Sequence, residues 1–429
     1  MKQLSLFEEQ IPEEKLPTSL TSDRHPIHRW FNFVAGFSPE FVSQCIRSAK
    51  LKKEDILIDP FAGLSTSLIQ ANLEGINAIG FEPHPFLFDL SRAKLFPPNK
   101  EEVDNIETLL LPLDLFTGDL AEIWSTDALK FLLKLFSESN LKQLASAVLK
   151  EKEIEEKVQP NQRQIYRLIV SRVVEMMSTS QTDGIYKAPT TKKTTIPYLN
   201  AVKKVCAEIK NDINFLGKSV NYQAKIYPIS SEKMLQVEDE SCSLCVTSPP
   251  YLNNFDFAEM TRMELYFWRY AGSWREITER VRRQLIVNTT TAPTELKRNQ
   301  IEFSRKLSPG FCSLVSPIIE QLKEQRKIRA GKKDYYLLVY PYFAQMQSVI
   351  RELRRVLKPG SYLHLVVANA ALYGIHIPTE ELLGELMKES GFEVREIKLL
   401  RSRGQRWKLA KRDGSKQGLG EFEIRAIRL

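Results

Sequence analysis

The chain has 429 residues, enough for one large or two modest hydrophobic cores, and its 43% hydrophobic and 27% charged residues are ordinary for a soluble protein. No apolar run approaches the ~20 residues needed to cross a bilayer, and residues 1–15 lack the pattern of a signal or transit peptide. We therefore expect a cytoplasmic protein without membrane contact. Basic residues exceed acidic ones by 61 − 53 = 8, which favours a polyanionic partner, although many enzymes without one share this excess.

The first hundred residues predict a strand–helix–strand unit. Beyond residues 1–23, which show no clear periodicity, Pro39 follows a natural cap residue, Ser38. The expected elements are a helix at 39–46, a buried strand at 55–59, a helix at 67–74 and a strand at 78–82. Units of this kind build parallel sheets, so we expect an α/β fold.

Two long segments interrupt the strand pattern. Residues 97–220 have apolar residues at helical spacing and predict a largely helical insertion, whereas residues 270–333 form a second, basic insertion. The other expected elements are strands at 224–228 and 243–247, a helix at 342–357, a turn at 358–360, a strand at 362–367, a helix at 380–390 and a hairpin of 393–401 with 421–428. The sequence thus predicts one domain made of residues 24–96 and 221–429, with residues 97–220 set into it.

Cysteine usage predicts reduced thiols and no metal site. The five cysteines are an odd, scattered set without a secretory signal, which is typical of an intracellular protein. Cys242 and Cys245 have the spacing of half a zinc site, but no second Cys/His pair accompanies them. Because they lie in an apolar run, we expect both to be buried in a strand.

The segment Thr247-Ser-Pro-Pro-Tyr251 has the composition of a binding site for an amino group. It follows an apolar strand and so lies at the carboxyl edge of the sheet, where open α/β sheets bind ligands. Two prolines stiffen the backbone and leave its carbonyls as acceptors, while Ser248 adds a hydroxyl and Tyr251 a flat ring. The pattern favours a heterocycle carrying an –NH₂ group, although Pro-Pro is also common in ordinary turns.

A second segment, Asp59-Pro-Phe-Ala-Gly63 followed by Thr66, is typical of a nucleoside-binding turn. A glycine after a strand lets backbone approach a ligand closely, and the following helix start offers free N–H groups. Glu82 ends the next strand, 19 residues beyond Gly63, where a carboxylate often binds ribose hydroxyls. A complete G-x-G-x-x-G is absent, which argues against a dinucleotide.

Together and in this order, these segments resemble the family of S-adenosylmethionine-dependent DNA amino-methyltransferases, which methylate cytosine N4 or adenine N6. The segment His25-Pro-Ile-His28 with Phe37-Ser-Pro39 resembles that family's amino-terminal cofactor element, and Asn253-Asn-Phe-Asp-Phe257 resembles members with a Ser-Pro-Pro-Tyr motif. The resemblance covers the sheet strands, about half of the chain, and implies a Rossmann-like seven-stranded methyltransferase sheet. It implies catalytic roles for Ser248, Pro249, Pro250 and Tyr251, and cofactor contacts by His28, Phe37, Ser38, Asp59, Phe61, Gly63, Thr66 and Glu82.

Two positions depart from the family's pattern. A second glycine is usual where Leu64-Ser65 stand, so the cofactor loop must differ locally. The strand before the catalytic one usually ends in an acidic residue near the adenine, whereas this chain has Ile229-Ser-Ser231 there. Neither change removes a group that methyl transfer requires.

The resemblance implies methyl transfer to a base flipped out of double-stranded DNA, without a metal. Serine at the first position of the motif favours cytosine N4 in this family, with adenine N6 as the second candidate. Two further functions stay open: methylation of an RNA base, and non-catalytic binding of nucleic acid, which only the altered Leu64-Ser65 loop supports. A cognate restriction endonuclease is a candidate partner, and the oligomeric state is not predicted.

Basic residues stand where a phosphate backbone could use them, although a solvated charged surface explains any one of them equally well. If the first strand of the closing hairpin runs parallel to its neighbours, the hairpin loop emerges at the catalytic edge. We also expect residues 97–220 to hold much of the target recognition, because they form the largest segment outside the sheet. The basic residues concerned are Arg280, Arg282, Arg283, Lys297, Arg298, Arg305, Lys306, Arg326, Lys327, Arg329, Lys332 and Lys333 in the second insertion, and Arg401, Arg403, Arg406, Lys408, Lys411, Arg412 and Lys416 near the hairpin loop.

Overall fold

A computed structural model describes residues 22, 24–31, 36–111, 113–154, 161–183, 186–216, 223–403 and 419–429. The helices are α1 (Pro39–Ser48), α2 (Thr66–Leu73), α3 (Pro85–Leu95), α4 (Lys100–Leu110), α5 (Thr126–Leu132), α6 (Glu138–Lys150), α7 (Gln162–Met177), α8 (Tyr198–Leu216), α9 (Phe257–Met260), α10 (Arg262–Phe267), α11 (Trp274–Arg280), α12 (Thr294–Arg298), α13 (Gln300–Lys306), α14 (Pro309–Ile328), α15 (Val339–Val356) and α16 (Thr379–Glu389). The strands are β1 (Ile56–Asp59), β2 (Asn77–Phe81), β3 (Ser180–Asp183), β4 (Tyr186–Lys192), β5 (Lys225–Tyr227), β6 (Cys242–Thr247), β7 (Leu357–Ala368), β8 (Ala370–Leu372), β9 (Ile375–Ile377), β10 (Phe392–Arg403) and β11 (Leu419–Arg428).

Seven of these strands form one mixed sheet in the order β10-β11-β7-β6-β1-β2-β5. Strands β5, β2, β1, β6 and β7 pair in parallel, whereas β11 pairs antiparallel with both β7 and β10. Numbered along the chain, the order across the sheet is 6-7-5-4-1-2-3, and the seventh strand alone is reversed. The Rossmann-like α/β fold that the resemblance implied is therefore confirmed.

The central strands are short and apolar because helices cover both faces of the sheet. In β1, Leu57 and Ile58 are fully buried, and the strand lies between β2 and β6. The helix before β1 begins as the sequence predicted, since Ser38 Oγ accepts a hydrogen bond of 3.1 Å from the amide of Phe41 and Pro39 occupies the first turn. Both Cys242 and Cys245 are buried in β6, as expected.

The first strand of the closing hairpin ends at the carboxyl edge of the parallel strands. Because β11 is antiparallel to β7 and β10 is antiparallel to β11, β10 runs in the same direction as the parallel strands. Its last residues, Arg401–Arg403, therefore reach the carboxyl edge. The loop that follows, with Arg406, Lys408, Lys411, Arg412 and Lys416, lies outside the described residues.

The insertion at 97–220 contains α4 to α8, as predicted, and also a β3–β4 hairpin that the sequence analysis missed. It is fastened to α3 by Arg167 of α7, whose Nη1 lies 2.5 Å from an Asp89 oxygen while its Nε lies 2.5 Å from Glu151. The expected turn at 358–360 falls inside β7, where Gly360 has φ +81. None of the described helices is both long and apolar enough to span a bilayer.

Candidate active site

Residues 59–66, which we call the candidate cofactor loop, follow the central strand β1. The Asp59 carboxylate accepts hydrogen bonds from the Phe61 amide at 3.0 Å, from the Thr247 hydroxyl at 2.6 Å and from the Ser67 hydroxyl. Burial raises the pKa of Asp59 to about 6, against the lowering effect of these three donors. The side chain thus holds the loop and ties it to β6, and its predicted contact with the cofactor stays a prediction.

The backbone of this loop is left-handed at two positions. Gly63 has φ +54, and a Cβ placed on it would meet no atom within 4 Å, so its exposed side faces open space. Ser65 has φ 62 and ψ 34, and it occupies the conformation that favours glycine. The Leu64-Ser65 departure therefore changes the residue but keeps a backbone conformation that a glycine would adopt. The buried Ser65 hydroxyl has no hydrogen-bond partner among the described residues.

Glu82 follows β2 and lies beside the loop. Its carboxylate accepts a hydrogen bond of 2.8 Å from the His84 amide. The Glu82 amide donates to the carbonyl of Tyr227, the last residue of β5, at 3.0 Å. Burial, with a smaller contribution from Asp59, raises the pKa of Glu82 to about 8. A buried carboxyl with so few donors has acceptor capacity left for hydroxyl groups of a ligand.

The predicted amino-terminal cofactor residues are packed against the same side of the domain. Phe37 is 4% exposed and belongs to the hydrophobic cluster that contains Ala62 of the cofactor loop, whereas the Ser38 hydroxyl is used as the cap of α1. His28 is buried, and burial lowers its pKa well below the usual range. The buried Lys94 amine donates to the His28 carbonyl at 2.9 Å, which anchors this segment on α3.

Residues 247–256, the candidate catalytic segment, leave the carboxyl end of β6 beside the cofactor loop. The Ser248 hydroxyl donates to the Tyr251 hydroxyl at 3.4 Å, and the Tyr251 hydroxyl donates to Glu421 at 2.8 Å. The second Glu421 oxygen accepts a 2.7 Å hydrogen bond from Arg401 Nε. Pro249 is buried, whereas Ser248 and Tyr251 are half-buried and remain accessible.

The far end of this segment is held by the second insertion. Asn254, which is left-handed with φ 62, accepts hydrogen bonds from the Thr290 amide at 2.8 Å and from the Thr290 hydroxyl at 3.0 Å. The side-chain amide of Asn288 donates to the backbone carbonyls of Tyr251 and Phe255 at 3.3 and 2.9 Å. The second insertion, which the sequence singled out for its basic residues, therefore also holds the candidate catalytic segment in place through hydrogen bonds.

A buried ion pair also joins the second insertion to the end of the candidate catalytic segment. Asp256 caps α9 through the amides of Ala258 and Glu259, and it accepts a 2.9 Å hydrogen bond from Arg282 Nε. The two charged side chains are only 3% and 2% exposed, and the Arg282 guanidinium stacks on Trp274 at 4.1 Å. Sequence analysis missed this pair, although an aspartate capping a helix directly after the Pro-Pro segment was a readable signal.

Several of the basic residues proposed to contact phosphates already have partners within the protein, but only one of them is buried. Arg282 is buried, and the Arg401 guanidinium is used on Glu421. Other members of the set have acidic partners at the surface: Arg280 with Glu276, Arg283 with Glu295, Lys306 with Glu302, Arg326 with Asp334 and Lys327 with Glu324. Exposed pairs of this kind are weak and exchangeable, so only the buried Arg282 is withdrawn from the candidate DNA contacts.

The described residues contain one cluster of three side chains of the kinds that bind metal ions. The Cys45 thiol, a ring nitrogen of His364 and a Glu423 oxygen lie within 4.8 Å of one another and are buried. The Glu423 carboxylate is already bonded to His364 at 2.7 Å and lies 3.5 Å from Arg425. Burial also raises the pKa of the Cys45 thiol. These contacts account for the group as a packed polar cluster, and it carries no assignment as a metal centre.

Three curated proteins are similar to the chain over most of its length. The Type II methyltransferase M.BsoBI of Geobacillus stearothermophilus is 24% identical, and the match covers 96% of this chain and 86% of that protein. Type II methyltransferase M.AvaI of Nostoc sp. is 24% identical over 87% of this chain and 81% of its own length. Type II methyltransferase M.MvaI of Kocuria varians is 23% identical over 86% of this chain and 82% of its own length.

Comparisons with family models and with solved structures add no support for a function. No family model matches the chain. Among solved structures, an S-adenosylmethionine-dependent methyltransferase from Methanosarcina mazei aligns with 90% of this chain and 97% of its own, at 10% identity and a TM-score of 0.30, which is too low to support an argument. The fold assignment therefore depends on the strand order described above.

Proposed function

We propose that this chain, which is similar to the Type II methyltransferases M.BsoBI, M.AvaI and M.MvaI, methylates an exocyclic amino group of a base in double-stranded DNA with S-adenosylmethionine as cofactor. One observation carries the proposal. Thr247, the residue before Ser248, donates a 2.6 Å hydrogen bond to Asp59 at the start of the cofactor loop. The two segments that the sequence singled out therefore meet at one edge of the sheet, as two-substrate transfer requires.

The described residues fit S-adenosylmethionine. Bound there, this cofactor supplies a methyl group activated by a positively charged sulfur. Gly63 leaves open space for close approach, the Ser65 hydroxyl lacks a partner among the residues described, and the buried Glu82 carboxyl can accept the ribose hydroxyls. We propose that His28, Phe37, Ser38, Asp59, Phe61 and Thr66 complete the site, with Ser38 and Asp59 acting through the structure of their segments.

The catalytic segment would act on the amine by hydrogen bonding and alignment. An exocyclic amine is a weak nucleophile because its lone pair is delocalised into the ring. Acceptance of its two hydrogens by Ser248 Oγ and the Pro249 carbonyl would favour the pyramidal form and stabilise the positive charge that develops on nitrogen. Pro250 stiffens the segment, and the Tyr251 ring would stack on the flipped base. The methyl–nitrogen bond would form as the methyl–sulfur bond breaks, which neutralises the sulfur, and the nitrogen would then release one proton to water.

We propose cytosine N4 as the methylated position, because Ser248 begins the motif, and adenine N6 as the second candidate. We further propose that residues 97–220 contribute to target recognition and that a restriction endonuclease of the same specificity is the partner enzyme. Charge reversals confined to residues 97–220 should change the preferred DNA sequence, and an unchanged preference would contradict the first of these proposals.

The deciding experiment is mass spectrometry of nucleosides from plasmid DNA propagated with the chain. We expect N4-methylcytosine with the wild type and none with Ser248→Ala or Tyr251→Ala. Ser243→Ala is the matched control, since that serine lies on the same strand but bonds to Asp55 at 2.6 Å. N6-methyladenine would change the base and keep the mechanism. If no base in DNA is methylated, RNA would be tested next, and a failure to bind S-adenosylmethionine in calorimetry would favour a non-catalytic role.

A further inference from the structure

Glu421 and Arg401 form an extension of the catalytic segment that the proposed mechanism does not use. Glu421 belongs to β11 and is 4% exposed, although it lies 170 residues along the chain from Tyr251. One of its oxygens accepts the Tyr251 hydroxyl at 2.8 Å and the other accepts Arg401 Nε at 2.7 Å. Arg401 and Glu421 are direct cross-strand partners in the β10–β11 hairpin, so both are placed by the sheet itself.

Ser248, Tyr251, Glu421 and Arg401 form a series of hydrogen bonds, and the direction of each bond is fixed by the next one in the series. Glu421 forms an ion pair with the Arg401 guanidinium, and a carboxylate in such a pair can only accept hydrogen bonds. The Tyr251 hydroxyl must therefore donate to Glu421, which leaves its oxygen as an acceptor. The Ser248 hydroxyl, 3.4 Å away, donates its only proton to that oxygen.

The consequence falls on Ser248. A serine hydroxyl has one proton and two lone pairs, so a serine whose proton is committed to Tyr251 can only accept from a third group. Acceptance is what a substrate –NH₂ group requires. Without Glu421 the hydrogen bonds could reverse their direction, so that Tyr251 donates to Ser248 and the serine proton turns toward the amine.

We propose that Glu421 and Arg401 are positioning residues that keep the Ser248 hydroxyl in its accepting orientation toward the substrate amine. This inference rests on the proposed function. The ion pair replaces, for a neutral serine, part of the acceptor strength that a carboxylate at that position would bring, because hydrogen bonds in a chain polarise one another. It also makes the β10–β11 hairpin a structural part of the catalytic site.

The test is single-turnover methyl transfer by Glu421→Gln, a substitution of nearly the same shape whose amide can donate to Tyr251. We expect the rate at saturation to fall about tenfold or more, which is less than the ~10²–10³-fold loss on removing a charge-stabilising group outright, because Ser248 itself remains. The KM values for DNA and S-adenosylmethionine should change less than about twofold, because the relay acts on the reacting amine and not on binding. The matched control is Glu396→Gln, which removes another Glu–Arg pair of the same hairpin, 3.0 Å from Arg425 and half-exposed.

A double-mutant comparison separates positioning from a structural role. Tyr251→Phe keeps the ring and removes the hydroxyl, so adding Glu421→Gln to it should cost less than about a further twofold. Arg401→Gln, at the outer end of the chain, should show a loss in the same direction.

Four results would overturn the inference. Additive losses in the double variant, or wild-type rates in both Glu421→Gln and Arg401→Gln, would leave the proposed function intact and remove the relay. A wild-type chain that methylates no DNA would remove both. A lower melting temperature with an unchanged rate would assign Glu421 a purely structural role.

Discussion

The candidate cofactor loop and the candidate catalytic segment follow neighbouring strands, yet they are held in place in different ways. The loop is stabilised mainly by the strand and helices around it in the first part of the sheet: Asp59 bonds to Phe61 and Ser67, and Ser91 of α3 donates to the Gly63 carbonyl at 2.6 Å, while Thr247 of β6 supplies one bond from further along the chain. The catalytic segment depends on residues outside the sheet unit it leaves: Glu421 of the closing hairpin, and Arg282, Asn288 and Thr290 of the second insertion.

The difference implies different sensitivities. A turn supported by local hydrogen bonds forms whenever its strand and helix form, so single changes there should have small effects on the rest of the molecule. A segment held by remote anchors depends on the whole domain and should be more sensitive to changes far from the chemistry. Four substitutions test this contrast, and the expected effects decrease from the first to the last.

The largest effect should come from the buried pair behind the catalytic segment. Arg282→Met leaves Asp256 charged and buried without its cation, and we expect the free energy of unfolding to fall by about 3–5 kcal/mol. Urea denaturation measures it. Arg283→Met is the adjacent control, because its pair with Glu295 is half-exposed and should contribute under about 1 kcal/mol. Equal losses in the two variants would refute the assigned role of the buried pair.

Next is the anchor at Asn254. Asn254→Gly keeps the left-handed backbone but removes the acceptor of the Thr290 amide and hydroxyl. We expect about 2 kcal/mol of lost positioning, seen as a rate of methyl transfer roughly 30-fold lower. Affinity for S-adenosylmethionine should not change. Weaker cofactor binding at an unchanged rate would show that the two regions are not independent.

The cofactor loop should respond to pH through Glu82. Its pKa of about 8 means that the carboxyl is mostly protonated at pH 7 and mostly ionised at pH 9. If ribose hydroxyls bind the ionised form, affinity for S-adenosylmethionine rises with pH and is about tenfold greater at pH 9 than at pH 7. Calorimetry across this range measures the rise, and Glu82→Gln corrects for titration of the ligand's own amine. Equal pH dependence in both proteins would exclude Glu82 from the effect.

The smallest effect on stability is expected at Gly63. Gly63→Ala places a Cβ in open space but at φ +54, a strain of about 1 kcal/mol. Gly75→Ala is a matched control, because that residue also has positive φ and open space and follows the far end of α2. Both should lower the free energy of unfolding equally, and only Gly63→Ala should weaken cofactor binding. Equal binding in the two variants would move the cofactor away from Gly63.

Local patterns predicted the sheet well because β1, β2 and β6 are short, apolar and bounded by turn residues, and because β10 and β11 are long enough to show alternation. The predicted strands at 55–59, 78–82 and 243–247 match β1, β2 and β6 to within a residue or two, and the predicted hairpin matches β10 and β11. The β3–β4 hairpin was missed because its polar Thr/Lys sequence has no alternation of apolar residues to indicate a strand.

The site was predictable only in part, and for the same reason that divides the two regions. Ser248, Tyr251, Gly63 and Glu82 follow strands directly, so the parallel sheet brings them to one edge. No local pattern could place Glu421 against Tyr251, since that contact depends on how a hairpin 170 residues away enters the sheet. Nor could charge counting show that Arg282 is buried.

The strand order has a consequence for synthesis of the protein. Strand β11 is the last of the seven along the chain, yet it lies between β7 and β10. While the chain is still being translated, β7 is an open edge and β10 has no neighbour in the main sheet. The catalytic segment also lacks its bond to Glu421 until that residue has emerged from the ribosome, so the complete arrangement around Tyr251 forms only after β11 has been made.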